Sequence, residues 1–599
     1  MRRRDLLSAP AALLAGTPPM QLRAASEPRK AATLRVAFST AETGFDPPQI
    51  GDSNSNTVAA CIFEPLLAYD YVARPVKLRA QTATALPEIS ADFTRFTFRI
   101  RPGIFFADDA AFRGKPRELI AQDYVYSVKR FYDPKLNAEN VYLFENAKVL
   151  GLSELRAAAR REKKPFDYDV EVEGVRALDR YTFQLRLGAP NPRFHLNFAT
   201  ATTGAVAREV VQAYGDDIAA HPVGTGPFKL GSWRRASRIV LLRNPAFREQ
   251  FFEGEPAPGD AQAQAIAAEL SGRRLPLLER IEISVITEAQ PRWLAFVESA
   301  VDLLELPNEF APIAVPKGEL APHLARKGVR LQRALQADMT LAYFNMDDAT
   351  VGGNEPGQVA LRRAVALAFD GAEFNRVVRN GQAIAAQSTV PPFTSGYAQS
   401  YRSEMSKHSR EEAMALLDIF GYADSNRDGW RERPDGSPLV LRLASLPDQS
   451  DRRRNEVWRK QMAAVGVRME FDIATWPDLL KKARAGSLMM WGFTWVAASP
   501  DGSFFLGIGY GPNASESNDA HFSLPEFDRL YERQTTLPDG PDRETTMRQA
   551  TSLLVAYMPY KALGHNIVND LQHPWVRGHW RHPFMRDVWR YVGVDAPRA

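Results

Sequence analysis

The stretch His221-Pro-Val-Gly-Thr-Gly-Pro-Phe-Lys-Leu-Gly-Ser-Trp233 constrains the fold more than any other part of this chain. Gly224 and Gly226 stand two apart, flanked by Pro222 and Pro227. Glycine admits positive φ and close backbone approach, whereas proline fixes φ and removes a donor. Such a segment predicts a rigid, bent crossing. It leads into a strand over 238–243 that stops at the turn-forming pair Asn244-Pro245.

Strand-like alternation recurs in Leu34–Phe38, Phe96–Ile100 and Tyr181–Leu187. Helical spacing is as clear in 361–369, where Leu361, Ala364, Val365, Ala368 and Phe369 share a face. Ser409 and Glu412 form a capping-box pattern that opens a helix carrying Met414, Leu416, Leu417 and Phe420, and Gly421 closes it. The mixture predicts an α/β protein. At 599 residues one core is not enough, so two or three domains are expected.

Residues 1–26 have the order of an export signal: a basic start, a short apolar middle and small residues near Ala24-Ala25. The run Arg3-Arg-Asp-Leu-Leu7 is similar to a twin-arginine signal. Removing residues 1–25 takes four arginines and one aspartate, and leaves 71 basic against 70 acidic residues, a charge of +1. That balance gives no support to nucleic-acid binding. No run of roughly 18 apolar residues is present. The single cysteine, Cys61, lies in an apolar context and reads as buried packing.

Several segments, in order along the chain, resemble the family 5 extracellular solute-binding proteins, the peptide- and nickel-binding receptors of ATP-driven importers. They are the 221–245 stretch, Ile62–Leu67, Phe96–Ile104, Ala121–Ser127, Val175–Thr182, Tyr343–Asn345, Leu361–Asp370 and Leu416–Tyr422. The resemblance implies a two-lobed periplasmic-binding-protein-like fold of type II with a hinge between lobes. The first lobe is expected over 33–337 plus 560–599, with a subdomain inserted near 70–175, and the second over 338–559. It also implies a periplasmic monomer that holds a peptide or small solute between its lobes and delivers it to the permease of an ABC importer. No enzymatic step, cofactor or resident metal is expected. Relative to the family, 108–120 and 249–275 read as insertions, the latter polar and surface-exposed.

In the peptide-binding members a Trp is followed three residues on by an Asp that pairs with the peptide ammonium. The matching segment is Trp491–Phe505, in which Trp495 matches the Trp and Ala498 stands where the Asp would be. A buried cation needs an opposite charge, so this departure weakens ammonium recognition. Asp501 either substitutes for that carboxylate or forms a turn with Gly502. The resemblance places Trp491, Trp495, Val496, Ala498 and Asp501 at the ligand, with Tyr343, Asn345, Thr40 and Phe45 as further candidates. Phe493 adds aromatic surface, whereas Phe504 and Phe505 read as core packing.

Two other patterns carry less. Asp424-Ser-Asn-Arg-Asp-Gly429 with Asp435 has the oxygen spacing of a calcium loop, but a strand-like run follows it, and it reads as a side-chain-bonded turn. His565, His573, His579 and His582 fall within 18 residues and read as surface histidines rather than a metal or haem site. No protease, hydrolase-elbow or phosphate-loop motif is present. The function reading is therefore a transport receptor. A sensor or chaperone-type receptor is the alternative, and a secreted hydrolase a remote one. Ligand identity stays open among peptide, modified peptide, haem-like and sterol-like solutes.

Overall fold

The computed structural model describes residues 32–514 and 516–595, so the export signal expected over 1–26 lies outside the described residues. A twelve-stranded mixed sheet runs through the molecule. Its first stretch is ordered Arg468–Ile473, Val440–Ser445, Met490–Val496, Asp338–Phe344 and Tyr560–Gln572. Beyond these come Leu303–Glu305, Thr33–Phe38, Arg280–Val285, Arg238–Arg243 and Phe228–Arg234.

The thirteen-residue strand Tyr560–Gln572 is shared by the two halves of this sheet. Residues 560–564 pair with Asp338–Phe344, whereas 567–572 pair with Arg330–Leu335 and 570–572 also with Leu303–Glu305, from which the sheet continues to Thr33–Phe38. The register shifts between Thr340 and Leu341, opposite Gly564. A Cβ at Gly564 would lie 2.9 Å from the Ile384 carbonyl oxygen, so glycine is what lets the short strand Ala383–Ile384 approach there.

Cores sit on either side of this spine. One gathers Leu341, Phe344, Leu361, Val365, Phe369 and Trp458. A second lies under Thr33–Phe38 and contains Val36, Cys61, Ile239, Leu241, Ile281 and Ile283. A third is almost wholly aromatic at its centre, with Phe96, Phe98, Phe144, Phe183, Phe194 and Phe198 in contact. It lies under a separate four-stranded antiparallel sheet, Glu88–Ile89, Arg95–Arg99, Thr182–Arg186 and Val175–Ala177.

The glycine–proline crossing is explained by contact rather than by positive φ. A Cβ on Gly224 would lie 2.1 Å from the Ile62 carbonyl oxygen, and one on Gly226 2.6 Å from the same atom. The segment passes directly over the end of the helix Ser53–Ile62, and Gly226 N–H donates to that oxygen at 2.7 Å. Asn244 then fastens the crossing, donating its side-chain amide to the Gly226 carbonyl at 2.8 Å. Beneath it lies Glu64, which accepts from Thr225, Gln81 and Arg248. Burial pushes its carboxyl up, but Arg248 and Arg590 outweigh this and hold it low.

Three expectations are corrected. Residues 249–275 lie largely at the surface as expected, but they are not an unstructured excursion: Asp260 caps a helix, Ala261–Leu270, that buries Ala263 and Leu270. The four C-terminal histidines are interior rather than surface residues, because the central strand and the segment after it run inside the molecule. Each has its own partner: His565 the Asp338 carbonyl, His573 the Phe296 carbonyl, and His579 the Asp570 carboxylate, while His582 accepts from the Phe584 and Met585 N–H groups. Phe504 is half-buried and open on one side, whereas Phe505 is core as expected. Among the described residues no helix is long and apolar enough to cross a membrane.

Candidate functional site

A cavity of about 270 Å³ opens in the seam between the halves. The segments around Gly51, Asn146 and Asn197 supply one wall, and those around Arg484, Trp495 and Phe504 the other. The strand Met490–Val496 explains the aromatic wall. Alternate residues of a strand point to one face, which aligns Trp491, Phe493 and Trp495. Their rings form a continuous file: Trp476–Trp491 5.0 Å, Trp491–Phe493 4.9 Å, Phe493–Trp495 6.0 Å and Trp495–Phe504 5.1 Å between centroids. Trp491 is buried behind this wall, whereas Phe493, Trp495 and Phe504 keep part of their surface open.

The charged groups of the cavity are mostly committed to one another. Asp501 accepts from Arg543, Ser395, Ser503 N–H and Ser503 Oγ, and its second oxygen is 3.4 Å from Arg193 Nε. Burial pushes its carboxyl up, but Arg543 and Arg193 outweigh burial and hold it below the usual range. Asp501 is therefore neither a free substitute for the missing carboxylate nor a simple turn residue. It is the centre of a buried ionic cluster. Farther along the same wall Arg484 lies 3.1 Å from Glu139 and 3.5 Å from Asp519. Asp519 Oδ1 has no hydrogen-bond donor among the described residues, and burial pushes this carboxyl up to about 6 despite Arg484.

Of the candidates read from sequence, Trp491, Trp495, Val496, Ala498 and Asp501 all line the cavity. Tyr343, Asn345, Thr40 and Phe45 do not. Tyr343 is buried behind the aromatic wall, 6.3 Å from Phe493, because its strand lies next inward in the sheet. Asn345 is buried and ties the Gly486 carbonyl at 2.8 Å. Thr40 accepts twice from Asn54, and Phe45 packs on Trp233 at 4.7 Å. Sequence reasoning missed Arg193, Arg484, Asp519 and Arg586, which lie far along the chain from the aromatic segment or outside any motif. The 424–435 loop is held as a turn, with Asp424 accepting from the Asp428 and Gly429 N–H groups. The carboxylates of Asp424, Asp428 and Glu432 converge there, away from the seam.

A solute-sized cavity closed from two sides, walled by rings and lined by paired charges, defines a receptor that grips a molecule between its halves. The chain belongs to the bacterial extracellular solute-binding proteins, family 5, whose middle-region model matches residues 65–517. It is a binding protein of that family rather than an enzyme. It is 25% identical over 563 residues to di/tripeptide-binding protein 2 of Pseudomonas aeruginosa, covering 91% of this chain and 92% of that one. It is 24% identical over 542 residues to a probable deoxycholate-binding periplasmic protein of Escherichia coli, covering 89% and 88%. Its fold matches the periplasmic binding protein DppA of Helicobacter pylori, solved with the peptide STSA. That match has a TM-score of 0.74 and 19% identity, and covers 94% of this chain and 98% of that one.

Proposed function

We propose that this protein captures a peptide or another bulky, apolar-bodied solute in the seam cavity, in the periplasm, and delivers it unaltered to the permease of an ABC importer. The lobes are 33–337 with 560–599, carrying a subdomain near 70–175, and 338–559. They close about the shared strand as ligand binds the closed state better than the open one. The observation that carries this reading is the file of Phe493, Trp495 and Phe504 facing a cavity walled from both halves. Relatives named for di/tripeptides and for deoxycholate support a cavity of this kind in the family. A ligand without a free ammonium is favoured over an ordinary peptide, because Ala498 offers no carboxylate and Asp501 is held by two arginines.

Mass spectrometry of solute carried through purification identifies the ligand class. Trp495→Ala is expected to weaken its capture by about 2 kcal/mol, roughly 30-fold, with the melting temperature nearly unchanged, since the ring is only half-buried. An unaltered dissociation constant would remove Trp495 from the site.

A further inference from the structure

Three arginines line the seam cavity, and two are neutralised from within. Arg193 faces Asp501 and Asp539, and Arg484 faces Glu139 and Asp519. The third, Arg586, comes from the segment that follows the shared central strand, two residues after Phe584, which also lines the cavity. It is half-buried, and it makes no hydrogen bond or ion pair with any described residue. The acids whose charge reaches it are already held. Glu305 is 2.8 Å from Arg581, and Asp338 accepts from the Asn566 N–H at 2.8 Å and from its amide at 2.6 Å.

A guanidinium withdrawn from solvent without an anion is unfavourable unless something else supplies the charge, and its fork of donors matches a carboxylate with two parallel hydrogen bonds. Of the three acids on the cavity wall only Asp52 has no arginine against it among the described residues, and neutral donors fix it in place. Both Asp52 oxygens are engaged, one with Ser55 N–H at 2.7 Å and one with Thr43 Oγ at 2.6 Å, and Asp501 and Asp519 face arginines. We propose that Arg586 receives a carboxylate of the captured solute, so that the cavity selects acids with an apolar or aromatic body and does not require a free amine. One open guanidinium suits the single charge of a carboxylate better than the double charge of a phosphate ester.

This inference rests on the seam cavity being the binding site, and the test separates the two. The probes are N-acetyl-phenylalanyl-leucine and its C-terminal amide, which differ only in the acid, titrated calorimetrically into the full protein. The acid is expected to bind roughly 10- to 100-fold more tightly than the amide. Arg586→Gln should erase that ratio by weakening the acid alone, and Arg586→Lys should restore part of it. A ratio near one in the wild type, a ratio that survives Arg586→Gln, or failure of the acid to bind overturns the proposal. If acid and amide bind alike and Trp495→Ala weakens both, the role of Arg586 falls while the cavity stands. If Trp495→Ala changes the capture of neither the probes nor the co-purified solute, the cavity reading falls with it.

Discussion

Arg193 offers the sharpest test of closure. It leaves the four-stranded-sheet side of the molecule and donates to the carbonyls of Gln534 at 3.1 Å, Thr535 at 3.0 Å and Leu537 at 2.9 Å. Those carbonyls end the helix Pro525–Thr536 on the opposite side of the cavity. They are the unpaired acceptors that any helix leaves at its C-terminus, where a cation also meets the negative end of the dipole. Arg193 therefore caps a helix belonging to the other half. Its contact with Asp539, which is three-quarters exposed, adds little, but the 3.4 Å approach to Asp501 is well buried.

Arg193→Met keeps the length of the stem and removes every one of these interactions. Each charged hydrogen bond is worth about 1.5–3 kcal/mol, but water can replace the guanidinium at the carbonyls once it is gone. Removing one member of a buried pair costs about 3–5 kcal/mol, so about 3 kcal/mol is the expected net loss. If these bonds exist only when the halves meet, nearly all of that loss falls on the closed state. The apparent dissociation constant for the co-purified solute should then rise roughly 100-fold, and small-angle scattering should show a more open molecule. A variant with unaltered affinity and scattering but a lower melting temperature would assign Arg193 to folding and refute the latch.

Two acids on the same wall should respond to pH in opposite directions. Asp501 is held below its usual range, so its ionic cluster stabilises the fold above the unfolded-state value near 3.9, and that stabilisation is lost as pH falls through the lower folded value. Asp501→Asn is expected to cost about 3 kcal/mol at pH 7, with the gap in melting temperature to wild type closing as pH falls below the unfolded-state value; a gap independent of pH would deny the cluster its charge. Asp519 is pushed up to about 6, so its ionisation opposes folding between about pH 4 and 6. The melting temperature of Asp519→Asn relative to wild type should therefore rise across that window, by an amount equivalent to at most roughly 3 kcal/mol. A falling difference would show that Arg484 more than compensates the burial.

What was legible in the sequence was what short range decides. The alternation in Leu34–Phe38, the apolar face of 361–369 and the Ser409 cap all correspond to elements, because strand period, helix period and capping are local properties. The aromatic wall was legible for the same reason, since period two within one strand puts Trp491, Phe493 and Trp495 on one face. The buried histidines were misread because burial of 565–582 depends on the shared strand passing between two cores, a fact of topology that composition does not carry. The helix within 249–275 was not legible because alanine and glutamine are compatible with both a solvated loop and a surface helix that buries one narrow stripe.

The charged part of the site was illegible for a different reason. Whether a carboxylate can receive a ligand's ammonium depends on the charges already around it. For Asp501 those are Arg193 and Arg543, more than 300 residues before it and about 40 after it. The local pattern, an acid three residues beyond the vacated position at Ala498, invites the view that Asp501 has moved into the role. The pairing reverses this: a third cation would have to displace a guanidinium from a site where leaving that guanidinium unpaired is itself costly. By the same logic Arg586, which carries no motif and stands in an unremarkable segment, gains its meaning from having no ion-pair partner among the described residues. On the proposed reading, selectivity in this cavity is set by which charges the fold leaves unmatched, and Arg586 leaves one open for acids.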